Sequence, residues 1–403
     1  NGKLVAFSGS SGHLPDIGGK IRSPDPQELY EEGLRIMPCK MMEEDKLNEF
    51  LFFMIRNNVR VPDMVVGDFM AHLAAANTTE MRLLSLMDEY QIDDLNSLAS
   101  EIYQRSQKVM EDAISQKLRP GIYRHEVHGD GANENEPITI KCAVHVNEKS
   151  IRVDYDGTSP QVSKALNVVP TYTYAFTSYA LKCLLCPDLP NNEGCFIPIE
   201  VVAPEGTILN PKFPASVGAR ALTGHLLPEA VMGALSELLP EVVLAPSSSP
   251  MWGMNLTGFT KSNEKFAGLF FLNGGMGAGA THDGCHCTSF PSNLSNTPTE
   301  VLENLFPIRI EQKSIRKDTG GSGQYRGGSG QSLDIRLLSP APMTLGFMAD
   351  RTKFPGKGLK GGQPGDRGSV MLNGIEISPK AQLRANTDSL VTLNTPGGAG
   401  FGN

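Results

Sequence analysis

The sequence predicts an α+β protein in which a helical hairpin block precedes an antiparallel, β-rich body. Short alternating apolar segments recur after residue 121, and the 403 residues include 42 glycines and 28 prolines, which favour turns and tight loops. Two long segments with helical apolar spacing lie before residue 120. Because strands and helices do not alternate regularly along the chain, a doubly wound parallel sheet is disfavoured.

The chain divides into three predicted segments. Residues 1–45 are a strand and loop segment with a His-x-x-Asp motif, residues 46–120 are the helical block, and residues 121–403 are a β-rich α+β domain. In the first segment, Lys3–Phe7 predicts a strand entered from a turn at residues 1–2. A turn of this kind joins two strands, so we expect the other strand upstream and an N-terminally truncated chain.

The helical block contains three predicted helices. Residues 46–57 have helical apolar spacing. Pro62 stands where a helix commonly begins, and the segment that it opens runs to Tyr90. Asp93 opens the next helix, which runs toward Gln116. We expect the two long helices to pack as an antiparallel pair, because their connection is short. Polar residues around both favour a scaffold or subunit-contact element over a catalytic helix.

The β-rich segment begins with a hairpin signal. Residues 138–146 and 151–156 alternate apolar and polar side chains on either side of a turn. The glycine-rich segment Asn273–Gly279 follows a predicted strand, but no helical pattern follows it, so a dinucleotide site has weak support. Further strands are predicted at 199–203, 265–272, 308–313, 332–337, 343–347, 369–372 and 390–393, and helices at 172–186 and 225–239.

Charge and cysteine content limit the class of protein. The net charge of −8 argues against a nucleic-acid backbone or an anionic membrane surface as the main partner. No run of about eighteen apolar residues exists, so no membrane span is predicted. Seven irregularly spaced cysteines without a secretory signal predict reduced thiols in a cytoplasmic enzyme. Cys183 and Cys186 have Cys-x-x-Cys spacing but lie at a predicted helix end, which favours packing over metal or redox chemistry.

The clearest local group of polar residues is His13 and Asp16, on a glycine-flanked loop. An imidazole and a carboxylate at this spacing can turn toward one point and suit a divalent cation such as Mn²⁺, Fe²⁺ or Zn²⁺. They equally suit a proton-transfer pair in which Asp16 orients the ring. In the third interpretation, Asp16 fixes the loop by accepting backbone N–H groups. The spacing leaves all three open, since two ligands are too few for a metal site.

A second candidate group contains Asp283 and His286, the latter between two cysteines. The thiols give His286 the character of a soft metal site, but alternation in an extended segment would point it away from both. A structural or substrate-lining role is therefore favoured over zinc. Asp283 suits either a proton-transfer group or a residue of a glycine turn. We take Asp16, Asp283 and His286 as candidate catalytic residues.

Three further features permit anion binding. Asp318–Gly330 and Asp350–Gly358 are glycine-rich loops whose backbone N–H groups could surround a phosphate, although tight turns also account for their glycines. Arg220, near a predicted helix start, could meet a carboxylate or phosphate of a substrate. A capping or salt-bridge role of Arg220 is at least as well supported.

A series of motifs resembles the hydantoinase B/oxoprolinase family, the B-type subunits of the hydantoinase and oxoprolinase enzymes. The motifs occur in order along nearly the whole chain, which makes the series specific, although each glycine-rich part alone is a weak signal. The matching segments are Leu4–Phe7, His13–Gly19, Tyr30–Pro38, Asn58–Pro62, Gly67–Asp68, Asp156–Gln161, Asn192–Pro198, Ala203–Pro211, Asn296–Glu303, Gly320–Gly330 and Asn394–Gly402.

The resemblance implies an enzyme component with a partner. In such enzymes a hydantoinase A-like component, similar to sugar-kinase and actin-like ATPases, binds ATP with Mg²⁺ and phosphorylates an amide oxygen or an enolised ketone. The B-type subunit then hosts hydrolysis of the activated amide, or carboxylation in the acetone and acetophenone carboxylase relatives. In the carboxylase relatives, a metal is held by a first His-x-x-Asp and by a His in a second loop. His13 resembles that second-loop His, so the first motif would fall upstream of Asn1; many relatives have a second His where this chain has Leu14.

These observations predict the B-type subunit of a hetero-oligomeric, ATP-dependent hydrolase of cyclic amides such as a hydantoin, a lactam or oxoproline. The resemblance makes His13 and Asp16 the expected ligands of a divalent Zn, Mn or Fe ion, and assigns ATP to a hydantoinase A-like partner. The alternative enzyme is one component of an ATP-dependent ketone carboxylase. The alternative from another class is a non-catalytic scaffold subunit.

Overall fold

The computed structural model describes residues 4–20, 23–132, 137–248, 251–288 and 290–403. The helices are α1 (Glu49–Asn58), α2 (Pro62–Glu89), α3 (Leu95–Lys117), α4 (Pro170–Leu185), α5 (Ala221–Gly224), α6 (Leu227–Leu235) and α7 (Thr299–Leu305). The strands are β1 (Met42–Glu43), β2 (Lys46–Leu47), β3 (Gly121–Gly129), β4 (Ile138–Val146), β5 (Ile151–Asp154), β6 (Ile199–Val202), β7 (Trp252–Phe259), β8 (Lys265–Leu272), β9 (Ile308–Ile315), β10 (Gln331–Leu337), β11 (Met343–Met348), β12 (Ser369–Leu372), β13 (Ile375–Glu376), β14 (Gln382–Ala385) and β15 (Leu390–Asn394).

The strands form three larger sheets and one small hairpin. One sheet has the order β3-β4-β5-β6, in which β5 and β6 are parallel and the other pairs antiparallel. A second has the order β14-β11-β7-β8, and a third the order β13-β12-β15-β10-β9, both antiparallel throughout. The hairpin joins β1 to β2. The predicted α+β class with antiparallel sheets is therefore confirmed.

Two long strands were not predicted from the sequence. In β3 the positions that face the core include Tyr123 and His125, so the apolar alternation that marks a half-buried strand is weak. In β7 the first five residues are all buried, because apolar clusters lie on both sides of its sheet. A strand covered on both faces shows no alternation.

The strand expected near the N-terminus stays a prediction, whereas the expected packing of the two long helices is wrong. Residues 4–7 pair with no strand of the described ranges, but their partner strand was expected upstream of Asn1, and Lys3 and the predicted turn lie outside those ranges. The two long helices also do not pack along their lengths: α2 packs against α1, and α3 packs against α4 and the short 3-10 helix Glu193–Cys195. The apolar face of α3, with Met110 and Ile114, is directed into the main core instead.

The apolar side chains of the described residues form three clusters. The largest contains the inward faces of β3, β4 and β5 together with α4 and α6. The second lies between the two antiparallel sheets that follow residue 251. The smallest holds α1 and the start of α2 around Ile55 and Val65. Asn48 caps the start of α1, because its side chain accepts the Leu51 N–H at 3.1 Å.

A buried set of charged side chains joins the first cluster to the second. Lys380 Nζ donates to Asp350 Oδ2 at 3.2 Å and to the Asp130 backbone oxygen at 3.1 Å. The Arg351 guanidinium donates to Glu229 and to the His128 backbone oxygen. The buried carboxylates of residues 130, 229 and 350 thus lie close to the cations of residues 351 and 380. Burial and the nearby Asp130 carboxylate raise the pKa of Asp350 to about 6, although Lys380 and Arg351 act to lower it.

No helix in the described ranges combines the length and the apolar character that crossing a bilayer requires.

Lys380→Met should lower the free energy of unfolding by about 3–5 kcal/mol, because it leaves Asp350 buried without its cation. Urea denaturation at pH 7.5 measures this. Lys360→Met is the matched control, since the Lys360 ammonium pairs with the exposed Glu237 at 2.6 Å and should cost less than about 1 kcal/mol. Equal losses in the two variants would contradict the assigned role of the buried set.

The stability of Asp350→Asn relative to the wild type should rise as the pH rises from about 4 to 7. The pKa of Asp350 is raised in the folded state, so its contribution to stability is complete below its unfolded pKa and is lost as the pH rises through about 6. The asparagine does not titrate and keeps an oxygen for the Asp130 N–H. Unfolding free energies at several pH values check this; parallel curves for the two proteins would refute it.

Candidate functional site

The loop with the His-x-x-Asp motif is held by the Asp16 carboxylate, which is buried. Its Oδ1 accepts the Gly18 N–H at 2.9 Å and the Arg60 guanidinium at 2.7 Å, and its Oδ2 accepts the Arg60 backbone N–H. The same guanidinium donates to the Gly19 backbone oxygen at 2.5 Å. Asp16 therefore fixes its own loop to the junction between α1 and α2.

This geometry bears on the predicted metal site. The Asp16 carboxylate already accepts three donors, one of them a cation, so it is poorly suited to bind a metal ion as well. His13 is exposed on the same loop. No group of three or more His, Cys, Asp or Glu side chains that could hold a metal occurs in the described part of the chain. These residues do not form a complete metal site, and the predicted ligands His13 and Asp16 stay a prediction.

A residue that the sequence did not single out contacts this loop. His72, on α2, has its Nδ1 2.6 Å from the Ser10 hydroxyl. A Cβ added at Gly12 would lie 2.9 Å from the His72 ring, so the ring would have to move to admit a side chain there. His72 was missed because a single histidine within a long helical pattern carries no signal of its own.

The Asp283 and His286 loop is set by backbone contacts. The Gly284 N–H donates to the Arg326 backbone oxygen at 2.8 Å and the Cys287 N–H to the Ser329 oxygen at 3.0 Å, so the loop follows residues 326–329. A Cβ at Gly284 would lie 2.0 Å from the Met276 oxygen. The expected extended segment is wrong here: residues 286–287 form a turn with Cys287 at φ +50°, a left-handed value.

Asp283 and His286 differ in the hydrogen bonds that they can still form. Asp283 Oδ1 accepts the Arg326 N–H at 2.7 Å, and the carboxylate is exposed. His286 Nδ1 accepts the Ser329 N–H at 2.8 Å. A ring nitrogen that accepts carries no proton, so this hydrogen bond assigns the neutral tautomer with its proton on Nε2. In this state His286 offers a hydrogen-bond donor to a ligand, whereas Asp283 can accept a proton.

The cysteines give no support to a metal or redox site in the described chain. All seven are free. Cys186 belongs to the main apolar cluster, and burial raises its pKa, as expected of a packing thiol. Burial likewise raises the pKa of Cys287, whose Sγ lies 3.7 Å from the Ser329 oxygen.

A further polar group lies beside the first loop. Glu32 Oε1 accepts the Val217 N–H at 2.5 Å and the Gly218 N–H at 2.6 Å. The Arg220 guanidinium lies over the Tyr172 ring, 5.4 Å from its centroid, and interacts electrostatically with Glu32. Burial raises the pKa of Glu32 and raises the pKa of Tyr172 to about 12. Of the two charged residues, only Arg220 was singled out from the sequence.

The two pairs of predicted residues are held by different parts of the chain. His13 and Asp16 lie against α1, α2 and residues 31–34, whereas Asp283 and His286 lie against residues 326–329. A cavity of about 220 Å³ lies elsewhere, and the predicted residues do not line it. It is lined by Pro170, Thr173, Val201, Val202, Ala203 and Asn210.

Comparison with known proteins places this fold in a family. The sequence pattern described as Hydantoinase B/oxoprolinase matches residues 1–403. The chain belongs to the hydantoinase B/oxoprolinase family. Its motif series, from the His-x-x-Asp loop to the glycine-rich C-terminal segment, is thus explained by membership of this family.

The relatives show how much of each protein this chain covers. It is 34% identical to an uncharacterised protein of Methanocaldococcus jannaschii, across all of this chain and 71% of that protein. It is 30% identical to the putative B-type subunit of a D-/L-hydantoinase from a Pseudomonas strain, again across all of this chain and 71% of that protein. It is 27% identical to the 5-oxoprolinase of Dictyostelium discoideum, of which it covers 32%.

Solved structures share the fold. The ATP-dependent caprolactamase of Pseudomonas jessenii has a TM-score of 0.88 at 24% identity, over 97% of this chain and 71% of that one. A nucleotide-free acetone carboxylase has a TM-score of 0.83 at 18% identity, over 97% of this chain and 60% of that one. The family fold therefore occurs both in a caprolactamase and in an acetone carboxylase.

Arg60→Met should loosen the family's His-x-x-Asp loop, because Asp16 loses its charged donor while staying buried. Loss of such a hydrogen bond costs about 1–3 kcal/mol, so amide hydrogen exchange across residues 13–20 should accelerate about tenfold or more. Arg56→Met is the matched control, since its guanidinium pairs at 3.1 Å with Asp63, which is exposed. Unchanged exchange in Arg60→Met would show that backbone donors alone hold Asp16.

Proposed function

We propose that this chain is the B-type component of a multi-subunit, ATP-dependent enzyme that hydrolyses a cyclic amide. The observation that carries the proposal is the family match over residues 1–403. Relatives named as subunits of a hydantoinase and a caprolactamase support the same reaction class. The described chain offers no group that argues for its own nucleotide site, so the proposal assigns ATP to a hydantoinase A-like partner.

The proposed reaction overcomes the poor reactivity of an amide. The amide oxygen takes the γ-phosphoryl group of the ATP that the partner binds, and ADP leaves. Water then adds to the activated ring carbon, the C–N bond breaks and the ring nitrogen takes a proton. Water finally converts the acyl phosphate to a carboxylate and inorganic phosphate. The addition of water to the ring carbon needs two groups. One accepts a proton from the water, and the other donates a hydrogen bond to the developing oxyanion.

The loop with Asp283 and His286 supplies both parts in the proposal. The Asp283 carboxylate has an oxygen beyond the one that the Arg326 N–H engages, and it takes the proton from water. His286 presents Nε2–H and stabilises negative charge on oxygen. His13 remains the proposed metal ligand, with Asp16 fixing its loop, and a divalent ion there would lower the pKa of bound water.

A partner protein is supported by the surface of α2. This helix buries only Val65, and its exposed apolar side chains include Met81, Leu84 and Leu86. Such side chains on a long helix favour a contact between subunits. We assign that contact to the ATP-binding partner.

Ketone carboxylation is the second candidate. The likeness to acetone carboxylase at 18% identity speaks for the fold and not for the substrate. The scaffold alternative would leave both chemistries to other subunits. One assay separates the three possibilities, because each makes a different chain or substrate essential.

The complete protein, co-purified with its ATP-binding partner, should open hydantoin, 5-oxoproline or caprolactam only when ATP is present. Release of phosphate and ring-opened product is measured for each, beside acetone and acetophenone with bicarbonate. Asp283→Asn should lower kcat about 100-fold or more, as loss of a general base does. Asp318→Asn is the control, because this exposed carboxylate also neighbours Arg326 but pairs with it on the surface at 3.2 Å.

Each result decides between the alternatives. ATP-dependent consumption of the ketones alone would assign carboxylation. The scaffold interpretation would be supported if each of three variants opened the ring at the wild-type rate. These variants are Asp283→Asn, His286→Gln and His13→Ala. Ring opening that falls in these variants but not in Asp318→Asn supports the proposal.

A further inference from the structure

We propose that Glu32 and Arg220 together bind the N–H and C=O groups of a cyclic amide beside the His13–Gly19 loop. The inference rests on the proposed function and names the residues that would recognise its substrate class. It is supported by the hydrogen-bonding groups of this pair, some of which have partners within the described chain while others do not.

Glu32 has one oxygen engaged and one available. Oε1 accepts two backbone N–H groups, from Val217 and Gly218, which fixes the carboxylate. For Oε2, no donor occurs among the residues that the structure describes. A fixed, half-buried carboxylate oxygen with open lone pairs is a ready acceptor for an N–H group.

Arg220 is a donor of matching character. Its guanidinium lies over the Tyr172 ring, which itself stacks on Phe176 with 4.5 Å between centroids. The guanidinium makes no hydrogen bond or ion pair with the described residues, although it acts on Glu32 through its charge. The aromatic contact therefore orients the guanidinium, and its N–H groups are left for a ligand.

The pair favours a neutral ligand over an anion. Arg220 alone would attract a carboxylate or phosphate, but the Glu32 carboxylate close by repels one. A ligand with one acceptor and one donor satisfies both groups. The two charged groups form no direct ion pair within the described chain, so each is left to bind its own group of the ligand.

Ring amides have the required geometry. In an open-chain trans amide, the N–H and C=O bonds point to opposite sides of the planar group. A small ring forces the amide to be cis, so both bonds point to the same side. A lactam or hydantoin can therefore accept from Arg220 and donate to Glu32 at once, whereas a linear peptide cannot.

The pair lies next to the first loop of the candidate site. The Leu34 N–H donates to the Ile17 oxygen at 2.7 Å and the Lys20 N–H to the Glu31 oxygen at 2.9 Å, so residues 17–20 run beside residues 31–34. A Cβ at Gly19 would lie 2.6 Å from the carbonyl carbon of Glu32. A ring amide bound by Glu32 is consequently adjacent to the loop that carries His13.

The test compares variants of the complete protein with its ATP-binding partner. Arg220→Ala and Arg220→Lys should raise KM for the ring amide that the wild type opens about 10- to 100-fold, with a smaller change in kcat. Arg35→Ala is the matched control, because Arg35 also lies over an aromatic ring, 5.1 Å from the Phe213 centroid. The proposal gives Arg35 no part in binding the ring amide. A KM change in Arg220→Lys no larger than in Arg35→Ala would overturn the inference.

Glu32→Gln gives the sharper result. The amide oxygen should face the Val217 and Gly218 N–H groups, which places the NH₂ group where Oε2 now lies and preserves the loop. Binding of 2-pyrrolidinone should weaken about tenfold, while binding of 1-methyl-2-pyrrolidinone, which lacks the N–H, should not change. Equal weakening of both ligands would overturn the inference.

Failure of this inference can be told from failure of the proposed function. If the wild type opens no ring amide, the proposed function fails. Selective loss of 2-pyrrolidinone binding in Glu32→Gln would still support the subsite. If the wild type opens a ring amide and Glu32→Gln retains its affinity for 2-pyrrolidinone, the subsite fails and the proposed function stands.

Discussion

Backbone contacts between glycine-rich segments determine where the Asp283 and His286 loop lies. A Cβ at Gly284 would come within 2.0 Å of the Met276 oxygen, and one at Gly398 within 2.1 Å of the same atom. Gly328 N–H donates to that oxygen at 2.8 Å, and Gly398 N–H to the Gly328 oxygen at 2.9 Å. Side chains do not fit between these glycine-rich segments, so hydrogen bonds between main-chain atoms hold the segments together. The position of the Asp283 and His286 loop therefore depends on main-chain contacts and not on side-chain rotamers.

The carboxylates of this chain differ mainly in how many of their lone pairs are already used. Asp16 accepts three donors and fixes a loop, while Asp350 is buried with a cation and links two apolar clusters. Glu32 and Asp283 each have one oxygen engaged by backbone N–H groups and a second oxygen with capacity to spare. Anchoring through one oxygen orients the other at little entropic cost. This difference separates structural carboxylates from those suited to bind a ligand.

Much of the fold could be predicted from periodicity, and the exceptions have physical causes. The strands β8 and β12 were predicted at their observed ends because each has a buried face and a clear turn beside it. The packing of α2 and α3 was predicted wrongly. A short connection limits the position of the second helix, but it does not determine which face of that helix is buried in the core. The series of family motifs included the loop that carries His13 and Asp16. It could not show that Arg60 saturates Asp16, because that contact joins residues 44 positions apart.

If Glu32 and Arg220 bind a ring amide as proposed, their charges also limit which cyclic amides they accept. A substituent that carries its own carboxylate adds a negative charge close to Glu32, and the repulsion grows as the surroundings become less solvated. Such a substrate fits only if that carboxylate points away from Glu32, toward a cation or solvent. Lys20 Nζ, 2.5 Å from Glu31 and 3.8 Å from Asp25, is already neutralised and offers little compensation. In the proposed subsite, the local charges would therefore favour an uncharged ring, such as a hydantoin or simple lactam, over oxoproline.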